Sequence, residues 1–179
     1  MARRILIVID MQNDFIDGAL GSAEAQAAVP VVAARLRAYA PEDIFATRDT
    51  HSEDYPTTRE GRFLPVVHCV KGTPGWEIHP ALKALIPEEH IFDKPTFGSE
   101  TLTAVVRDMY KAEDGALSVE LAGVCTDICV VSNALLLKAA LPEMDIYVNP
   151  ACCAGVTPLK HEAALETMRS CQIIVGEPA

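Results

Sequence analysis

The 179-residue sequence lacks any apolar run near the roughly 20 residues that a membrane-spanning helix needs. Near its start only Ile5 to Ile9 is continuously apolar, and it ends at Asp10. Five residues are too few for the core of a signal peptide, so a cytoplasmic protein is expected. Positive charge is also scarce. Fifteen Lys and Arg face twenty-five Asp and Glu, a formal net charge of −10. That balance argues against nucleic acid or an anionic membrane surface as partner. No two of the six cysteines stand in CxxC spacing, which removes the support for a Cys-rich zinc site or a thioredoxin-type motif. Without a secretory leader the cysteines are expected to be thiols rather than disulfides. Internal repeats, low-complexity segments and interdomain linkers are missing too. One domain over residues 1–179 is the expectation, long enough for a single substantial core.

What is present is a chain half hydrophobic and 22% charged, the composition of a globular protein. Ile5 to Ile9 is a β-branched, apolar run that reads as a strand buried on both faces. Further strands are expected at 43–47, 90–93, 117–124, 144–148 and 171–175. Helical patterns fall between them at 23–39, 99–110, 131–140 and 158–169. Pro30 is expected in the first turn of its helix, Ser99 and Thr157 as caps, and Pro158 at a first helical position. Alternating strand and helix predict an α/β, doubly wound (Rossmann-like) sheet of about six mostly parallel strands with helices on both faces.

The most informative stretch is Gly123-Val124-Cys125-Thr126-Asp127-Ile128-Cys129-Val130, a strand-to-helix turn. Thr126 or Asp127 is expected to cap the helix, with Cys129 in its first turn. The helix dipole would then lower the thiol pKa. In this architecture ligands bind beyond the carboxyl ends of the strands. Asp10, Asp49, Lys94 and Cys129 each fall at such an end. Singly, each has a structural reading: a loop-capping aspartate, a surface lysine, a buried cysteine. Their convergence on one edge points to chemistry. Cys129 would attack an electrophilic carbon, Asp10 would carry its proton, and Lys94 would stabilise negative charge. The backbone N–H groups of Cys125 and Cys129 would form an oxyanion hole.

The segment 48–80 is too long for a connecting turn and rich in His, Gly and Pro. Asp49 and His51 share a face of extended chain, and Glu60 and His68 follow. Two His and one or two carboxylates suit Zn²⁺, Mn²⁺ or Fe²⁺. His90 starts an expected strand and His161 lies on an expected exposed helix face, so neither is a ligand candidate.

Three motifs in register resemble the isochorismatase-like cysteine hydrolases: Ile9-Asp10-Met11-Gln12-Asn13-Asp14-Phe15, Lys94-Pro95-Thr96-Phe97 and Gly123 to Val130. Thr47-Arg48-Asp49-Thr50-His51 and His68 to Gly75 look like the nicotinamidase branch of that family. The resemblance implies a catalytic triad of Asp10, Lys94 and Cys129 and a cis Val124–Cys125 peptide. It also implies a divalent metal, zinc foremost, on Asp49, His51 and His68, with Glu60 as an extra carboxylate. Phe15 and Phe97 would flank a substrate ring, and Trp76 would wall the pocket. The activity implied is hydrolysis of a small amide, nicotinamide or pyrazinamide, to the acid and ammonia through a thioester, within NAD salvage. Such proteins are often homo-oligomers. Thr50, Pro65 and Cys125 depart from the family's usual residues and leave a larger amide open. The alternatives are a relative acting on an N-carbamoyl or ureido compound, and a non-catalytic binding domain.

Overall fold

A computed structural model describes residues 3–178. Six strands form one sheet: β1 (Arg3–Ile9), β2 (Ile44–Asp49), β3 (Ile91–Lys94), β4 (Leu117–Val124), β5 (Ile146–Ala154) and β6 (Ile174–Val175). Their order is β3-β2-β1-β4-β5-β6 and every pairing is parallel. This is the doubly wound arrangement, with the chain reversing its direction of travel between β1 and β4.

Among the described residues seven α-helices connect the strands: α1 (Asn13–Ile16), α2 (Ala23–Leu36), α3 (Arg59–Phe63), α4 (Pro80–Lys83), α5 (Glu100–Ala112), α6 (Val131–Ala140) and α7 (Pro158–Ser170). The alternation along β1 divides the core. Ile5, Ile7 and Ile9 pack with residues of α5, α6 and α7 on one face. Leu6 and Val8 pack with α2 and α4 on the other. Both faces are therefore covered, which explains why β1 is apolar at every position from Ile5 to Ile9 rather than at alternate ones. Among the described residues no helix is long and apolar enough to cross a membrane.

Ser99 and Thr157 cap their helices as expected, accepting from the N–H groups of Leu102 and Lys160. Four expectations need correction. Pro30 sits in the interior of α2, not its first turn. His90 closes a short 3₁₀ turn, where its Nδ1 bonds Ile44 O at 2.8 Å, and β3 begins one residue later. β6 is only two residues long. β5 does not stop at Val148 but continues past Pro150 to Ala154. The ladder with β4 shifts register there, and a bulge is where a strand tolerates a residue with no N–H.

One ion pair fastens α2 to the sheet. Glu120 in β4 is fully buried and accepts from Arg35 at 2.6–2.9 Å and from Tyr39 Oη at 2.5 Å. Replacing Glu120 with Ala leaves a half-buried guanidinium without its carboxylate. The loss expected is about 3 kcal/mol, the low end for breaking a buried pair. Chemical denaturation of the parent and Glu120→Ala checks this, and a change below about 1 kcal/mol contradicts it.

Candidate active site and metal centre

At the reversal point β1 and β4 approach so closely that a side chain cannot fit. Gly123 has φ +129°, and a Cβ there would fall 2.1 Å from Ile9 O. Glycine is required, and β1 delivers Asp10 next to the turn that carries Cys129.

The three residues meet in a buried cluster. Lys94 Nζ lies 2.7 Å from Asp10 Oδ2 and 3.7 Å from Cys129 Sγ. It donates to Thr96 O at 3.0 Å and stands 3.7 Å from Asp49 Oδ1. Thr47 Oγ1 donates to Asp10 Oδ1 at 2.6 Å, fixing the carboxylate from the neighbouring strand. Asp10 is 0% exposed, Lys94 2% and Cys129 5%.

Electrostatics in the cluster differ from the helix-dipole expectation. The thiol of Cys129 is pushed well above its ordinary pKa, first by burial and then by the Asp10 carboxylate, against the pull of Lys94. Asp10 is also raised, by burial and by Asp49, with Lys94 opposing. Burial works against the Lys94 ammonium too, but Asp10, Cys129 and Asp49 outweigh it and raise its pKa. Burial thus works against the charged form of all three groups, and the 2.7 Å contact of Lys94 with Asp10 offsets part of that cost.

The turn itself also departs from expectation. Thr126–Val130 is a π-type turn ahead of α6, and no side chain caps it. Thr126 Oγ1 bonds His161 Nδ1 at 2.8 Å, and Asp127 Oδ1 accepts from Val156 N at 2.8 Å. His161 is therefore half-buried and tied to the turn, not free on an exposed face. Asn133, unnoticed in the sequence, donates to Cys129 O at 2.8 Å and Phe97 O at 3.1 Å and accepts from Ser99 N at 2.9 Å. It joins the cysteine turn to the lysine segment. The Val124–Cys125 peptide is cis.

The 48–80 segment brings a second group alongside. Asp49, His51, Glu60 and His68 present ligand atoms that all lie within 4.8 Å of one another. His51 Nε2 is 3.0 Å from Asp49 Oδ2 and His68 Nε2 is 3.6 Å from it. Glu60 Oε1 lies 3.7 Å from His51 Nε2 and 4.0 Å from His68 Nε2. Yet His51 Nε2 is buried with no hydrogen-bond partner. The atoms converge on a shared point rather than on each other, the arrangement a metal ion satisfies. His68 Nδ1 donates to Val66 O at 2.8 Å, which leaves Nε2 as the lone-pair nitrogen facing that point. The pairing of His51 with Val70 holds the two histidine segments together, their rings 4.8 Å apart. Burial disfavours an ionised Asp49, but the adjacent imidazoles of His51 and His68 and the charge of Lys94 hold it below the usual carboxylate range. Burial and Asp49 raise Glu60. The donor set fits a divalent metal.

Gln12, a member of the Ile9–Phe15 motif, holds the strand end that carries Asp49. Its amide accepts from Asp49 N at 2.7 Å and donates to Asp49 O and Trp76 O, each at 2.8 Å. An apolar cavity of about 380 Å³ opens over Cys129, with Phe15, Asp49, Glu60, His68, Phe97 and Cys125 in its lining. Trp76 is not part of that wall. Its Nε1 donates to Thr50 Oγ1 at 2.8 Å, and the Arg48 guanidinium stacks on its ring at 3.5 Å, so it stiffens the loop from behind. Leu20, Phe63, Leu64, Ile128, Val156 and Lys160 also line the cavity. Apart from Ile128, which belongs to the cysteine turn, they carry no motif and come from separate stretches of the chain.

Fold and site together define a class: a doubly wound α/β protein with a buried Asp–Lys–Cys cluster and a metal-ligand set at the switch point of its sheet. Residues 4–177 match the isochorismatase domain, and the chain belongs to the isochorismatase family. Among its relatives is the nicotinamidase/pyrazinamidase of Mycobacterium tuberculosis, 28% identical, the match covering 95% of this chain and 96% of that one. The nicotinamidase of Schizosaccharomyces pombe is also 28% identical, over 95% of this chain and 91% of that one. The zinc-bound pyrazinamidase of Pyrococcus horikoshii superposes with a TM-score of 0.79 at 30% identity, covering 98% and 99% of the two chains.

Two measurements follow. His51→Ala is expected to weaken binding of a divalent metal at least 100-fold, because even supporting residues around a ligand cost 10- to 100-fold. Metal content after dialysis, with circular dichroism to confirm folding, reads this out, and undiminished binding contradicts it. The thiolate absorbance that differs between parent and Cys129→Ser is expected to appear only above pH 9, since a raised pKa keeps the thiol protonated below it. A step near neutral pH would restore the helix-dipole reading.

Proposed function

We propose that this chain is a cysteine-dependent amide hydrolase that converts nicotinamide, and pyrazinamide, to the corresponding acid and ammonia. The observation that carries the reading is the Cys129 thiol and Asp10 carboxylate buried with Lys94 beside a four-residue metal-ligand set. The relatives named as nicotinamidases match nearly the whole chain, and the metal-ligand set favours this branch over N-carbamoyl and ureido hydrolases of the same fold.

In this reading Asp10 takes the proton of Cys129 as sulfur attacks the amide carbon. The raised thiol pKa makes that transfer part of the attack rather than a prior ionisation. The backbone N–H groups of Cys125 and Cys129 receive the developing oxyanion. Lys94 keeps Asp10 paired through each change of charge, and Thr47 holds its second oxygen. Asp10 returns the proton to nitrogen, the C–N bond breaks and ammonia leaves. Asp10 next takes a proton from water as the water attacks the thioester, and Cys129 is released as the thiol.

Asp49, His51, His68 and Glu60 would hold the metal, with zinc the first choice given the zinc-bound relative. Bound there, it supplies an electrophile that orients and polarises the ring nitrogen of the substrate. Phe15 stands beside His68, its ring 5.4 Å away, and Phe97 also lines the cavity, where both can flank that ring.

The test is ammonia release from nicotinamide by the metal-loaded protein. Cys129→Ala is expected to lower kcat at least about 10⁴-fold with metal content unchanged. A folded, metal-loaded parent that releases no ammonia from nicotinamide or pyrazinamide overturns the reading.

A further inference from the structure

The cavity is larger than a single-ring amide requires. A dry cavity of about 150 Å³ holds one benzene ring, whereas the cavity over Cys129 measures about 380 Å³. Its lining is also mostly apolar. Asp49, Glu60 and His68 gather on the metal-ligand side. Leu20, Ala25, Phe63, Phe97, Ile128 and Val156 supply apolar lining, and Ser22 and Lys160 are further polar members. Phe63 is 78% exposed, Val156 46% and Phe97 45%. Three large apolar side chains exposed around one opening make a concentrated patch, unlike the scattered exposure that needs no explanation.

Ring geometry says where a substituent would go. With the pyridine nitrogen at the metal ligands and the carboxamide at C3 over Cys129, ring position 2 lies between the two anchors. Position 5 lies directly across the ring and points away from both. A group at that position is therefore the one free to extend into the volume that a bare nicotinamide leaves unfilled, where the lining is mostly apolar.

We propose that this site takes pyridine carboxamides carrying an apolar substituent at ring position 5, and prefers them to unsubstituted nicotinamide. The inference rests on the amide-hydrolase reading above and names its substrate class. The chemistry is unchanged: the amide C–N bond breaks, water adds, ammonia leaves, and the substituent takes no part. Its contribution is the burial of apolar surface, which lowers KM more than it raises kcat.

The experiment compares nicotinamide, 5-methylnicotinamide and 5-phenylnicotinamide with the metal-loaded full chain. Ammonia release gives kcat/KM, and calorimetry gives the Kd of each amide for metal-loaded Cys129→Ala. The value of kcat/KM is expected to rise along the series, reaching at least tenfold over nicotinamide for the phenyl compound, with Kd falling in the same order. Val156→Trp, a change at a half-exposed position, should shrink the phenyl-to-nicotinamide ratio tenfold or more. Hydrolysis of nicotinamide with 5-phenylnicotinamide equal or poorer in both measurements overturns the substrate class and leaves the amidase reading intact. Tighter binding along the series without ammonia from any member supports the pocket assignment and sinks the hydrolase reading. Neither binding nor ammonia with any of the three sinks both.

Discussion

A single buried ammonium holds this site together. Lys94 lies 2.7 Å from one carboxylate, Asp10, and 3.7 Å from a second, Asp49, with Cys129 Sγ also at 3.7 Å. A lone cation so deeply buried would be very costly, and so would either carboxylate. Together they are tolerable, and each is locked to the others. Asp49 is the hinge of the arrangement. Its Oδ1 faces Lys94 while its Oδ2 faces the two histidines. The thiol cluster and the metal-ligand set thus share one residue, and neither can move without the other.

The sheet makes that sharing possible. The crevice of a doubly wound sheet opens where the chain reverses, here between β1 and β4. Asp10 directly follows β1, Asp49 ends β2 and Lys94 ends β3, three adjacent parallel strands that finish at one edge of the sheet. The turn after β4 supplies the cysteine from the other side. Hydrogen bonds across elements then fix what the strands deliver: Thr47 on Asp10, Gln12 on the backbone of Asp49, and Asn133 between the cysteine turn and the lysine segment.

Magnitudes explain why the thiol is raised although it opens a helix. A helix terminus contributes about 0.3–1 kcal/mol, up to about 2 in partly buried sites. Full burial of a charged form can shift a pKa by about 3–5, roughly 4–7 kcal/mol. Burial wins at Cys129, and the adjacent carboxylate adds to it. A thiol whose charged form is disfavoured by burial, beside the Asp10 carboxyl, is consistent with the proposed reading in which sulfur ionises only as it attacks. Cys125 on the same cavity wall is likewise pushed up, to about 12, by burial.

The sequence by itself determined the strands buried on both faces, the parallel α/β alternation, and the order in which Asp10, Asp49, Lys94 and Cys129 arrive at strand ends. Those follow from local periodicity and from short motifs, which survive in one dimension. Helix caps such as Ser99 and Thr157 were legible for the same reason: their partners lie within three residues. What only the tertiary structure decided depends on residues far apart in the chain. The continuation of β5 past Pro150 needed a neighbouring strand to pair with. Trp76 turned from the cavity because Arg48 and Thr50 hold it elsewhere. The apolar wall combines Leu20, Phe63 and Val156, side chains without a shared pattern. The sign of the Cys129 shift was invisible for the deepest reason: a dipole can be read from the helix that follows a residue, whereas desolvation exists only once the rest of the chain has closed around it.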